Sequence, residues 1–101
     1  MSRQFEWDTG KAQRNLQKHR VSFELAMRAF ADPLALTVQD RVEDAEARWQ
    51  TLGMVDGVVL LLIAHTITDE DDDTEIIRII SARRATWKER TRYEQEARHR
   101  G

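Results

Sequence analysis

The chain has 101 residues, of which 41% are hydrophobic and 34% charged, with a formal net charge of −2 and no cysteine. This length predicts one domain over residues 1–101 and excludes a separate cofactor domain, while the lack of cysteine excludes disulfide bonds and thiolate metal sites. No secretory signal is visible, and the longest apolar run, residues 58–64, is shorter than the roughly 20 residues that cross a bilayer, so we expect a cytoplasmic protein.

The first third of the chain predicts a short strand and two helices. Residues 5–7 alternate between apolar and polar side chains, as an edge strand does. Asp8 is a suitable N-cap for a helix over residues 9–19, and Ser22 for a second helix over residues 23–31, because both side chains accept hydrogen bonds from free backbone amides. The Asp-Pro pair that follows ends the second helix.

The middle of the chain predicts a sheet. A strand opens at residues 36–38, and residues 41–47 form a polar turn region. Three more strands are predicted over residues 47–55, 57–67 and 75–82. Asp56-Gly57 between two of them is a strong hairpin turn, because both residue types tolerate a positive φ.

The last part of the chain predicts one more helix. Thr86 and Glu89 fit a capping box, in which each side chain accepts a hydrogen bond from the other residue's backbone amide. This box predicts a helix that extends to about residue 98. The predicted fold class is therefore α+β, a small antiparallel sheet with two N-terminal helices and one C-terminal helix.

The charges are distributed unevenly along the chain. Residues 1–20 carry a net charge of +3, residues 21–81 carry −9, and residues 82–101 carry +4. Two basic ends around an acidic middle are consistent with phosphate binding on one face, although ordinary surface charge gives the same pattern.

Basic side chains near the ends of these elements suit the cleavage of RNA. Attack of a 2′-hydroxyl on its neighbouring phosphate needs a proton acceptor, a proton donor and cations that stabilise the charged intermediate. Lys18 and His19 end the first predicted helix, and histidine exchanges protons near neutral pH. The alternative for His19 is structural, as a cation at the helix end or a ring packed beside Leu16.

Arg78, Ser81 and Arg83 share the last predicted strand. Side chains alternate along a strand, so Arg78 lies on the opposite face from the other two unless a β-bulge intervenes. Arg83 stands at the exit of the strand, where its planar guanidinium suits phosphate oxygens. The alternatives are a buried salt bridge for Arg78 and the satisfaction of backbone groups for Ser81.

The chain also resembles a known family. The motifs that carry the resemblance are Phe5-Glu6-Trp7-Asp8, Lys18-His19-Arg20-Val21-Ser22-Phe23-Glu24, Arg48-Trp49, and Arg78-Ile79-Ile80-Ser81-Ala82-Arg83-Arg84-Ala85-Thr86. They resemble those of the BrnT-type toxins, small bacterial ribonucleases of toxin–antitoxin pairs with a fold like the RelE toxins. The chain departs from this family at Arg20, where glycine is usual, and in lacking an arginine soon after Ile67.

This resemblance implies a metal-independent endoribonuclease toxin of a type II toxin–antitoxin system, which inhibits translation and growth and needs no cofactor. The implied partners are an RNA substrate and a small DNA-binding antitoxin of the ribbon-helix-helix type, with operator DNA bound only through their complex and no membrane. The candidate catalytic residues are Lys18, His19, Arg48, Arg83 and Tyr93. The candidate RNA-binding residues are Arg78, Ser81, Arg84, Lys88 and Arg90.

Other functions stay open at this point. The chain is alternatively a non-catalytic, toxin-like module that binds an antitoxin or nucleic acid, which the missing arginine and the acidic residues 69–73 favour. Tyr93 alternatively only anchors the last helix to the sheet. A DNA-reading helix-turn-helix over residues 11–30 is the weakest hypothesis, because its second helix carries Arg28 as its one cation.

Overall fold

A computed structural model describes residues 2–71 and 73–100, the last of these by its backbone alone. Within this range the elements are β1 (Ser2–Glu6), α1 (Thr9–His19), α2 (Phe23–Ala29), β2 (Leu36–Glu43), β3 (Glu46–Val55), β4 (Val59–Asp69), β5 (Thr74–Arg84) and α3 (Trp87–Arg100). The strands form one sheet in the order β1-β5-β4-β3-β2. The predicted α+β class is confirmed. The sheet is mixed rather than wholly antiparallel as predicted, because β1 pairs with β5 in parallel, whereas the other neighbours are antiparallel.

All three predicted helix caps are present. The side chain of Asp8 accepts a hydrogen bond from the amide of Lys11 at 2.9 Å, and that of Ser22 accepts one from Leu25 at 3.0 Å. Thr86 and Glu89 form the reciprocal capping box, with distances of 2.8 and 3.2 Å. These caps were predictable because each depends on residues only three positions apart.

Several predicted boundaries were wrong. The N-terminal strand spans Ser2–Glu6 rather than residues 5–7, and β4 and β5 each end two residues after the predicted ends at 67 and 82. The second helix ends at Ala29 rather than at residue 31, because the amides of the next three residues bond to carbonyls three positions back and tighten the chain into a turn. The predicted turn over residues 41–47 is in fact the end of β2, a two-residue turn at Asp44 and Ala45, and the start of β3. Both turn residues have positive φ, which matches the twist of a tight hairpin, and an edge strand tolerates the charges that suggested a loop.

A β-bulge in β5 changes which side chains share a face. Ala64 of β4 pairs with Ser81, whereas the next residue, His65, pairs with Ile79, so Ile80 is an extra residue in β5. The bulge reverses the alternation of side chains beyond it. Arg78, Ser81 and Arg83 therefore all lie on one face, because their partners Thr66, Ala64 and Leu62 alternate regularly along β4.

The sheet has a core on each face. The larger one lies under α1 and α2 and includes Phe23, Leu61 and Ile63. The helix α2 approaches the sheet closely at Gly53, where an added Cβ would lie 2.4 Å from the carbonyl oxygen of Ala29. The smaller core, Leu52, Leu60, Leu62 and Tyr93, lies under α3. No helix in the described part of the chain has the length and apolar composition needed to cross a membrane.

Candidate active site

A hollow of about 390 Å³ lies between α1 and β5. Its lining residues are Lys11, Arg14, Asn15, Lys18, His19, Ile80 and Ser81, and we refer to it as the α1–β5 hollow. It exists because β1 pairs with β5 only as far as Arg78, which leaves the rest of that edge for α1. The sequence therefore brings Lys18 and His19 from a helix end next to Ser81 of a strand.

Asn15 holds the two walls of this hollow together. Its amide nitrogen donates to the carbonyl oxygens of Ala82 and Val21, each at 2.9 Å, and its side-chain oxygen accepts from the amide of Ala82 at 3.0 Å. The side chain is 7% exposed and takes the place of a neighbouring strand at this edge. Because buried backbone groups need hydrogen-bond partners, Asn15 fixes the position of α1 against β5.

The titratable residues of the α1–β5 hollow are all basic. They are Lys11, Arg14, Lys18 and His19, and within the described part of the chain no carboxylate lines the hollow. Among the ion pairs of the described residues, none involves these four side chains. These side chains are therefore available to an anion. Lys18 and His19 are in the last turn of α1, where the carbonyl end of the helix favours positive charge.

Arg20 completes the end of α1 in the left-handed conformation, with φ of 61°. Its amide donates to the carbonyl oxygen of Leu16 at 2.9 Å, as an αL cap does. A residue with a Cβ adopts this conformation at a cost of roughly 1–2 kcal/mol. Arg20 thus gives the cap that glycine usually makes, at the expense of some strain next to His19.

Arg48 and Arg78 lie on the open part of the face that α3 covers at one end. Arg78 donates to Glu46 at 2.7 Å, and the guanidinium of Arg48 lies 3.8 Å from Glu46 and 3.4 Å from Glu43. Glu46 is therefore shared by two arginines. The Nε of Arg48 is buried and donates no hydrogen bond.

Arg83 forms a bidentate salt bridge with Glu89, with both distances 2.9 Å. The hydrogen bond from Arg83 lowers the pKa of Glu89, and the same bond raises the pKa of Arg83. Glu89 also caps α3, so this pair fixes the exit of β5 relative to the helix. We refer to Arg48, Arg78 and Arg83 as the paired arginines, since each is held by a carboxylate.

Tyr93 lies apart from the α1–β5 hollow. It is 6% exposed within the smaller core, and its hydroxyl donates to the carboxylate of Asp32. It lines a different hollow of about 440 Å³ near the β3–β4 hairpin, together with Arg28 and Asp56. Its surroundings are those of a residue that attaches α3 to the sheet.

The buried His65 is on the other face of the sheet, under α2. Its Nε2 is hydrogen-bonded to the hydroxyl of Thr51 at 2.7 Å, and its ring packs edge-to-face on Phe30. Burial lowers the pKa of His65, so the neutral imidazole is favoured. It has no access to the α1–β5 hollow.

The structure therefore divides the ten predicted site residues into groups. Lys18, His19 and Ser81 meet in the α1–β5 hollow, and the paired arginines share one sheet face. Arg84 at the end of β5 and Lys88 in α3 are exposed, Arg90 in α3 is half-buried, and Tyr93 lies apart in the smaller core. Lys11 and Arg14 were not identified as site residues from the sequence. Arg14 is three residues after Lys11 and four before Lys18, and these spacings indicate that the three side chains share one helical face.

Comparisons with known proteins agree with this architecture. A family model described as the ribonuclease toxin BrnT of type II toxin–antitoxin systems matches residues 7–89. The 1.1 Å crystal structure of the Brucella abortus ribonuclease toxin BrnT covers 85% of this chain and 99% of its own, with a TM-score of 0.53 and 18% identity, and so supports the fold. No curated protein matches the chain. The resemblance seen in the motifs is thereby confirmed: the chain belongs to the BrnT family of ribonuclease toxins from type II toxin–antitoxin systems.

Proposed function

We propose that this protein cleaves RNA without a metal ion, by attack of a 2′-hydroxyl on the adjacent phosphate, and that it arrests translation and growth when free of its antitoxin. The observation that carries the proposal is the α1–β5 hollow, which is lined by four basic residues and Ser81 and, among the described residues, by no carboxylate. Phosphate is the anion that an RNA strand brings to such a place.

Each step of the reaction has a group in the hollow. Lys11, Arg14 and Lys18 supply the fixed positive charge that stabilises the phosphorane oxygens. His19 accepts the proton of the 2′-hydroxyl and then delivers that proton to the departing 5′-oxygen, since imidazole works in both directions near neutral pH. Ser81 donates a hydrogen bond to a phosphate oxygen. The same cations repel a divalent metal ion and take over its electrostatic role.

The remaining predicted residues flank this centre. Ser81 continues onto the sheet face of the paired arginines, which bind RNA when a phosphate replaces their carboxylates. Arg84, Lys88 and Arg90 guide the strand past the start of α3. Tyr93 fixes α3 through Asp32 rather than transferring a proton.

Membership of the family entails an RNA substrate and an antitoxin partner. We further propose that the antitoxin is a small DNA-binding protein of the ribbon-helix-helix type, which binds operator DNA together with the toxin in the cytoplasm. Residues 1–101 act as a single domain in this proposal.

The test is an RNA cleavage assay in excess chelator. Wild-type protein is expected to give fragments with 2′,3′-cyclic phosphate and 5′-hydroxyl ends, and His19→Gln to cut about 10²–10⁴-fold more slowly. Arg28→Ala is the matched control, because Arg28 is an exposed cation paired with Asp56 outside the hollow. Fragments with 5′-phosphate ends, or equal rates for His19→Gln and wild type, would contradict the mechanism.

A second function rests on the paired arginines. Because Arg48, Arg78 and Arg83 are already neutralised, the protein is alternatively a non-catalytic module that binds its antitoxin or RNA. Expression without antitoxin separates the two hypotheses: the ribonuclease arrests growth and its His19→Gln variant does not, whereas the binding module leaves growth unchanged in both forms.

A further inference from the structure

Trp87 is the most exposed of the large hydrophobic side chains in the described residues, with 79% of its surface accessible. It is the first residue of α3, and it belongs to neither hydrophobic core. Full burial of a tryptophan gives one of the largest hydrophobic stabilisations available to a side chain. Because the ring of Trp87 is exposed, its burial contributes little to the stability of the fold, and we expect it to have another role.

The position of Trp87 is well fixed. The capping box of Thr86 and Glu89 encloses it, and its carbonyl oxygen accepts a hydrogen bond from the hydroxyl of Thr91 at 3.0 Å. Glu89 is in turn held by both nitrogens of Arg83. The backbone that carries the indole is therefore ordered before any ligand arrives, which reduces the entropy that binding costs.

The surroundings of Trp87 are positively charged. Arg84 and Lys88, both exposed, lie within three residues of it, and neither forms an ion pair among the described residues. Glu89, the acidic residue of this turn, is neutralised by Arg83. One flat aromatic ring among free cations suits a nucleobase with its phosphates, whereas a protein interface needs a wider apolar surface.

Trp87 is also within reach of the α1–β5 hollow. Trp87 is six positions after Ser81, so the chain places the two no more than about 22 Å apart. A single strand of a few nucleotides covers this distance. We propose that Trp87, with Arg84 and Lys88, forms a subsite that stacks a base of single-stranded RNA at a position flanking the cleaved bond; this inference rests on the proposed ribonuclease function.

The experiment measures binding separately from cleavage. A labelled single-stranded oligonucleotide with 2′-O-methyl groups has no nucleophile and stays intact. Trp87→Ala is expected to weaken its binding about five- to 150-fold, which corresponds to about 1–3 kcal/mol for one stacked base, and Trp87→Phe to recover most of the loss. Val42→Ala is the control, because Val42 is 62% exposed on the far edge strand.

Salt dependence distinguishes the ring from its cations. Trp87→Ala is expected to leave the slope of log affinity against log salt unchanged, whereas Lys88→Ala reduces it by about one. Quenching of tryptophan fluorescence by the oligonucleotide should be lost in Trp87→Phe. Melting curves confirm that each variant is folded.

The outcomes are distinct. Equal RNA binding by Trp87→Ala and wild type would overturn the proposed subsite. A Trp87→Ala variant that binds RNA normally but no longer binds its antitoxin would also overturn it, because that result assigns the ring to a protein interface. Binding that depends on Trp87 in a protein that leaves unmodified RNA intact supports the subsite and overturns the ribonuclease mechanism instead.

Discussion

The α1–β5 hollow and the paired arginines both collect positive charge, but they present it differently. Among the described residues, no carboxylate lines the hollow, and Lys11, Arg14, Lys18 and His19 make no ion pair. Each paired arginine, in contrast, is held by Glu43, Glu46 or Glu89. An incoming phosphate meets free cations in the hollow, whereas on the sheet face it must first displace a carboxylate. The comparison teaches that the number of basic residues on a surface does not by itself locate an anion site.

The difference follows from where the acidic residues lie. Residues 1–20 have a net charge of +3, and one of their two acids, Asp8, is used as the N-cap at the far end of α1. Arg48 and Arg78 come from the middle segment, which has a net charge of −9. The helix α1 in a basic segment therefore keeps its cations free, whereas Arg48 and Arg78 in the acidic segment do not. Arg83 lies in the basic segment 82–101 and is paired for a local reason, because Glu89 of the capping box is within reach.

The largest effect is expected from Asn15→Ala, which removes the brace of the hollow. The substitution leaves the buried amide and carbonyl of Ala82 without partners, so we expect the free energy of unfolding to fall by about 2–4 kcal/mol. Urea denaturation measures the loss. RNA cleavage should fall as well, because α1 no longer holds Lys18 and His19 against Ser81.

The matched control for this variant is Gln17→Ala, an exposed position on the same helix, which should change stability by less than about 0.5 kcal/mol. An Asn15→Ala protein as stable as Gln17→Ala would show that the walls of the hollow are held by apolar packing instead. The position of α1 against β5 would then not depend on the hydrogen bonds of Asn15.

A smaller effect, of opposite sign, is expected from Arg20→Gly. Glycine adopts the left-handed cap without strain, so the free energy of unfolding should rise by about 1 kcal/mol, or about 4–8 °C in melting temperature. Arg20→Ala removes the same charge but keeps the strain, and it should not be stabilised. Equal stabilisation of both variants in thermal melting would mean that charge, rather than backbone conformation, limits this end of α1.

Much of the fold was predictable from neighbouring residues, and the site only in part. The caps at Asp8, Ser22 and Thr86 depend on partners three residues away. The bulge at Ile80 depends on the register of two strands, and the contact of Asn15 with Ala82 joins residues 67 positions apart. Local patterns contain no information on such pairings, which arise only when the sheet and α1 pack together.

The pairing of the arginines was unpredictable for the same reason. Arg78 and Glu46 are 32 residues apart, and the bulge is required before Arg78 reaches that face. A buried salt bridge was one alternative for Arg78; the salt bridge is present, but both Arg78 and Glu46 are substantially exposed, and the partner was not predicted. Lys18 and His19, in contrast, were identified from their place at a helix end, because the position of a helix terminus follows from the local sequence.

A further effect is expected from Glu46→Gln, which changes the pairing of the arginines on the sheet face. This change releases Arg78 and removes one of the two carboxylates beside Arg48, which keeps its contact with Glu43. The affinity for an uncleavable RNA should therefore rise by about fivefold, equivalent to about 1 kcal/mol, with a steeper salt dependence. Glu24→Gln on α2 is the control, since Glu24 is exposed and makes no ion pair in the described part of the chain. An affinity unchanged by Glu46→Gln, measured at equal salt, would place the bound RNA away from this face.

The smallest effect is expected in acid, from Glu89. Because Arg83 lowers the pKa of Glu89 in the folded protein, the unfolded chain binds a proton first, and the contribution of this pair to stability is lost as pH falls below the ordinary glutamate value of 4.5. Arg83 remains protonated throughout. Both groups are partly exposed, so solvent screening keeps the effect small. Thermal melting from pH 7 to pH 3 should show a shallower acid decline for Glu89→Gln than for wild type, with Glu94→Gln unchanged. An identical decline in Glu89→Gln and wild type would mean that the Arg83–Glu89 salt bridge does not contribute to stability. Arg83 would then be an available cation, like those of the α1–β5 hollow.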